Sequence, residues 1–158
     1  MKTMKQLEEE IVDRFDYYKR DLALAKATAG SALFKQIART ACEVTSLNEK
    51  DTVWTYVSGS TMCMTVSLYG LDGLKDPRLE NVLNRFMNVR EPRELKTTDY
   101  PTNLERDYSF RWDGIYIVVE AHFKDDSATC KKVIKGYTEA MAPQPIYGLD
   151  CEGDEVQG

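Results

Sequence analysis

The stretch Asp107-Tyr-Ser-Phe-Arg-Trp-Asp-Gly-Ile-Tyr-Ile-Val-Val-Glu-Ala-His-Phe123 decides how the rest of the chain is read. Its alternation predicts a β-hairpin about Asp113-Gly114, a two-residue pair suited to a type I′ turn because Asp and Gly tolerate positive φ. Folding about that turn sets Trp112 opposite Ile115, Phe110 opposite Ile117 and Tyr108 opposite Val119. Side chains alternate along a strand, so these six share one face, and that face must be buried. Asp107, Ser109 and Arg111 fall on the other face with Tyr116, Val118 and Glu120, a mixed surface.

Upstream, Asp76-Pro77 predicts a helix start, with an N-cap acceptor followed by proline at the first helical position. Leu79, Val82, Leu83, Phe86 and Met87 then form an apolar stripe that ends near Val89, before Glu91-Pro92. Val53–Val57 and Thr61–Tyr69 read as a second hairpin, with Trp54 and Tyr56 sharing a face. Its register is open between pairing Val53 with Met64 and pairing Trp54 with Met64. Arg93–Asn103 reads as a surface loop. Downstream, Thr129–Tyr137 and Ile146–Cys151 read as two further strands across a proline-containing connection.

At the N-terminus, Leu7, Ile11, Phe15, Tyr18, Leu22 and Ala25 recur at steps of four and three, the spacing of an amphipathic helix. Leu33, Ile37, Ala41 and Val44 continue a helical pattern beyond Gly30. Gly30 either breaks the run into a helical hairpin or sits within one helix of about 60 Å, which would imply self-association. The expected architecture is therefore α+β. An N-terminal helix or helical hairpin (1–47) precedes an antiparallel sheet domain (48–151), built of two hairpins plus C-terminal strands packed on one helix, and an acidic flexible tail (152–158).

A chain of 158 residues with 42% hydrophobic and 30% charged content can bury a core unaided, as one domain with an appendage. Its net charge of −5 argues against general nucleic-acid binding and against anionic membranes. No 18-residue apolar run exists, and acids at Glu8, Glu9 and Glu10 follow the start where a secretory signal would be apolar. The expectation is a cytoplasmic protein. Cys42, Cys63, Cys130 and Cys151 are widely spaced, with no Cys-x-x-Cys. They read as free buried thiols, the competing reading being a Cys130–Cys151 disulfide across the last two strands. No metal and no cofactor is expected, since short paired knuckles are absent and His122 is the sole histidine.

No catalytic signature stands out. Ser58-Gly-Ser-Thr61 lacks the lysine and following helix of a phosphate loop. Two constellations remain as candidate binding surfaces. On the mixed face, Asp107 and Glu120 oppose each other beside Tyr116 and His122, and like charges directly opposite are unfavourable unless something uses them. Separately, Arg90 and Arg93 follow the middle helix, and with Lys131 and Lys132 they could form a basic patch for a phosphate-bearing ligand. Nine tyrosines and two tryptophans exceed what one small core needs, which favours a protein or nucleobase partner.

The closing stretches Cys130-Lys-Lys-Val-Ile-Lys-Gly-Tyr-Thr-Glu139 and Pro145-Ile-Tyr-Gly-Leu-Asp-Cys-Glu152 resemble the C-terminal end of small uncharacterised tailed-phage proteins. The shared pattern is Cys-basic-basic-Val, then Pro-x-Tyr, then a final Cys-acidic pair. It covers this part of the chain alone. The resemblance implies an accessory protein in the host bacterial cytoplasm that binds and inhibits or modulates a host factor, defence systems included. The leading expectation is thus a non-enzymatic, homo-oligomeric protein with a host protein as partner. The alternatives are a nucleotide-sequestering protein and a hydrolase working through Asp107 and Glu120.

Overall fold

The computed structural model of the chain describes residues 2–29, 31–58 and 61–154. Two helices come first, α1 (Met4–Ala29) and α2 (Ala32–Thr45). Ser31 caps α2, its hydroxyl accepting from the Phe34 N–H at 3.1 Å. The run is therefore two helices, while Gly30, where the sequence left the choice open, lies outside the described residues. Strands β1 (Thr52–Ser58) and β2 (Thr61–Leu71), helix α3 (Pro77–Val89) and strands β3 (Glu94–Tyr100), β4 (Glu105–Trp112) and β5 (Ile115–Phe123) follow. Strands β6 (Cys130–Tyr137) and β7 (Pro145–Cys151) close the chain.

The fold is α+β, as the hydrophobic patterning predicts. The β4–β5 hairpin has the predicted register, with Trp112 opposite Ile115, Phe110 opposite Ile117 and Tyr108 opposite Val119. Its turn is not type I′: Gly114 takes φ +72°, but Asp113 is not among the residues of positive φ. The first hairpin adopts neither expected register. Ser58 pairs with Thr61, so Val53 opposes Val66 and Thr55 opposes Met64; the connecting pair at 59 and 60 lies outside the described residues.

Five strands form one sheet in the order β1-β2-β5-β4-β3, antiparallel except at the central β2–β5 pair, which runs parallel. The segment read as a surface loop supplies β3, which pairs with β4 from Glu94↔Arg111 to Tyr100↔Glu105. An edge strand shows period-2 burial weakly, and β3 is exposed along most of its length. The two C-terminal strands do not extend this sheet. They form a separate β6–β7 ribbon.

One sheet face makes the core. Met64, Val66 and Leu68 of β2 and Ile117, Val119 and Ala121 of β5 are at most 2% exposed. They meet Leu79, Val82 and Phe86 of α3, as the stripe predicts, but also Ile37, Ala41 and Val44 of α2. The cover is thus two helices rather than one, and the ribbon adds Cys130, Leu149 and Cys151 to the same cluster. Phe110 packs edge-on to Phe86 and stacks on Trp112, each at 5.8 Å between centroids. The Trp112 indole N–H donates to the Arg90 carbonyl at 2.9 Å, which satisfies its one polar atom.

The cysteines correct the expectation. Cys130 and Cys151, directly opposite across the ribbon, form a disulfide, while Cys63 is free and buried and Cys42 is free but exposed. The ribbon is also tied to the sheet by Arg106 of β4, whose buried guanidinium donates to Asp99 and to Asp154. No described helix is long and apolar enough to cross a membrane.

Two stability measurements check this packing. Phe110→Ala should cost about 3–5 kcal/mol in urea unfolding, the usual loss for a fully buried phenylalanine. Cys130→Ser should cost about 3 kcal/mol, the chain-entropy value for a closed loop of this length.

Candidate functional site on the open sheet face

Helices α2 and α3 and the ribbon pack on the first face of the sheet. The second carries, in register from edge to edge, Tyr56–Cys63–Tyr116–Arg111–Glu94, Trp54–Thr65–Val118–Ser109–Lys96 and Thr52–Ser67–Glu120–Asp107–Thr98. Cys63, Thr65 and Ser67 are small and buried, so they form a floor between the larger side chains of β1 and β5. Around it Trp54 (52% exposed), Tyr56 (40%), Tyr69 (37%) and Tyr100 (45%) present ring surface to solvent. Trp54 and Tyr56, two apart on an edge strand, stack at 4.9 Å.

The chemistry concentrates at the C-terminal half of β5. His122 stacks on Tyr69 with ring centroids 4.5 Å apart and planes within 9°. Its Nε2 lies 3.3 Å from Glu120 Oε2 and its Nδ1 3.7 Å from Glu105 Oε2. Glu120 also accepts from the Ser67 hydroxyl at 2.9 Å. Asp107 stands opposite Glu120 as the hairpin register predicts, and its Oδ1 is buried with no hydrogen-bond partner. Burial pushes the Asp107 carboxyl up to about 8, and the neighbouring Glu105 and then Glu120 carboxylates push the same way. It therefore holds its proton at neutral pH.

Tyr69 reaches His122 through a local irregularity. The β2–β5 register shifts between Leu68 and Leu71, where Gly70 takes φ +65°, a conformation that glycine adopts without strain. The carbonyls freed there accept from the Arg78 guanidinium, Tyr69 O at 3.0 Å and Gly70 O at 3.3 Å. Arg78 in turn pairs at 3.1 Å with Asp51, whose fully buried carboxylate accepts the Tyr69 N–H at 2.9 Å.

Glu105, Glu120 and His122 each offer one ligand atom, all within 4.8 Å of one another, so these three could hold a divalent ion through two oxygens and one nitrogen. A neutral Asp107 beside carboxylates is a proton donor next to acceptors, but its buried Oδ1 suits a structural proton better than delivery to a substrate.

Of the candidate residues, Asp107, Glu120 and His122 converge. Tyr116 lies further along the same face, its hydroxyl donating to Ser109 at 3.1 Å beneath the Arg111 guanidinium. The basic residues do not converge. Arg93 pairs with Asp113 at the hairpin turn, next to exposed Arg90. Lys131 and Lys132 follow Thr129, which is tied to the Asp72 carbonyl at the other end of β5. There Lys131 faces Asp150, and Lys132 lies 4.4 Å over the Tyr147 ring. Sequence reasoning missed Tyr69 and the His122–Glu105 pair. The second was available from the hairpin register; the first depends on the parallel β2–β5 seam. No protein-family model and no curated protein matches the chain.

Because the folded state binds a proton on Asp107 that the unfolded chain releases near pH 4, that contribution to stability is present at low pH and is lost as pH rises toward 8. Asp107→Asn should remove this slope. It should raise the melting temperature at pH 9 by about 2–4 °C relative to the parent chain, the shift that ~1 kcal/mol gives in a domain of this size. Melts from pH 5 to pH 9 measure it.

Proposed function

We propose that this chain is a non-enzymatic accessory protein of the phage type that its C-terminal stretch resembles, and that it acts by docking a host protein on the open sheet face. The observation that supports this reading best is the pairing on that face of exposed aromatic rings with a carboxylate–histidine cluster. Trp and Tyr contribute binding energy with little entropy to lose, because their side chains have few rotatable bonds. The cluster lends the face negative potential, in line with the net charge of −5. The partner that suits such a surface is a basic protein segment, its lysine or arginine seated between Tyr69, Glu105 and Glu120. A nucleotide fits less well, since its phosphates would meet Glu105 and Glu120, while Arg90 and Arg93 lie at one end of β5 and Lys131 and Lys132 at the other.

The tagged chain, incubated with bacterial host lysate and compared with Trp54→Ala and Glu120→Gln, tests the proposal. One host protein should be enriched, and its affinity, measured after purification, should fall about thirtyfold in Trp54→Ala, the effect of a ~2 kcal/mol hot spot. Binding should also weaken with added salt, and Lys132→Ala should leave it unchanged. Equal capture by the parent chain, Trp54→Ala and Glu120→Gln would place the partner elsewhere and reject this face.

A further inference from the structure

The helix α1 is the largest feature that neither the core nor the sheet face accounts for. Helix α2 buries Ile37, Ala41 and Val44 completely, whereas along α1 Met4 (72%), Ile11 (68%), Tyr18 (68%) and Leu22 (56%) face solvent, with Leu7 and Val12 also exposed. From this we infer that α1 is a self-association arm, and that two copies of the chain join by pairing their α1 helices along this stripe.

Three observations select a second copy as the occupant. The first is the repeat. In the sequence Met4, Ile11 and Tyr18 stand seven apart, and Leu22 follows four beyond Tyr18, so these apolar positions fall at heptad spacing. That is the seam of a coiled coil, in which each side chain enters a hole formed by four residues of the facing helix. The second is length. The helix has 26 residues and spans about 39 Å at 1.5 Å per residue. A groove on a globular partner typically reads anchors at i, i+3, i+4 and i+7, about two turns, whereas this stripe runs from Met4 to Leu22. A helix of equal length with the same repeat covers it, and every further copy of the chain supplies one. The third is charge. Glu9, Asp13 and Asp16 lie exposed between the stripe positions, on the far face, so pairing leaves them in water. One seam position, Glu8, is polar. Such a residue weakens a coiled coil while restricting its register.

This inference does not depend on the sheet face binding a partner. If both hold, the assembly carries two acidic faces and gains avidity for a partner with two basic segments.

Light scattering coupled to size-exclusion chromatography on the full chain tests it. At micromolar concentration the mass should be a multiple of 18.1 kDa, a dimer being the expected form. Ile11→Glu combined with Leu22→Glu should return the mass to 18.1 kDa while the near-ultraviolet signal of buried Trp112 persists. Glu8→Leu should act in the opposite direction and tighten association about tenfold, an outcome that misfolding cannot imitate. A parent chain that remains monomeric overturns the inference. So does an oligomer that survives both glutamate substitutions, or a Glu8→Leu chain that associates no more tightly.

Discussion

The parallel pairing of β2 with β5 is the constraint on which the rest of the molecule depends. Parallel neighbours cannot be joined by a tight turn, so the chain must leave β2, travel the length of the sheet and return before β5 begins. That excursion contains α3, β3 and β4, and it places α3 over the core face as it passes. Asp51 and Arg78 hold the departure point. A fully buried carboxylate would be expensive alone, but here it accepts from Arg78 and from the Tyr69 N–H, while the same guanidinium takes the carbonyls released by the bulge. With the buried carboxylate and the two released carbonyls matched, the irregularity at Gly70 is held in place, and the Tyr69 ring lies on His122.

The same seam explains the character of the open face. Small residues on β2 lie beside larger ones on β5, so Ser67 meets Glu120 and Cys63 meets Tyr116 across two strands that are distant in sequence. The Glu105 and Glu120 carboxylates then flank one imidazole, and the Asp107 carboxyl stands against both of them. Such crowding is costly in a part-buried setting, and it is relieved by the proton that Asp107 retains and by the hydrogen bond from Ser67 to Glu120. The side chains of this face stand on paired strands rather than on loops, which fixes their positions relative to one another.

The chain uses three different means to secure its periphery. The β6–β7 ribbon, too short to be stable alone, is joined by its own disulfide, adds Leu149 to the core and is held to β4 through Arg106. Helix α2 is secured by apolar burial. Among the described residues of helix α1 none is buried.

Local chemistry in the sequence determined much of this. Alternation about Asp113-Gly114 established the β4–β5 register, and with it the opposition of Asp107 to Glu120. Asp76-Pro77 and the 3.6-residue stripe established α3, because caps and periodicity act within a few residues of one another. Tertiary structure alone decided which hairpin edges meet, that β2 and β5 run parallel, that Arg93–Asn103 contains a strand, and that Tyr69 lies on His122. Edge pairing is set by backbone groups common to every residue, and its choice reflects burial summed over the whole sheet, a quantity that no short window contains. The Cys130–Cys151 bond belongs with these: both cysteines are plain in the sequence, yet their meeting depends on the ribbon register that brings them opposite each other.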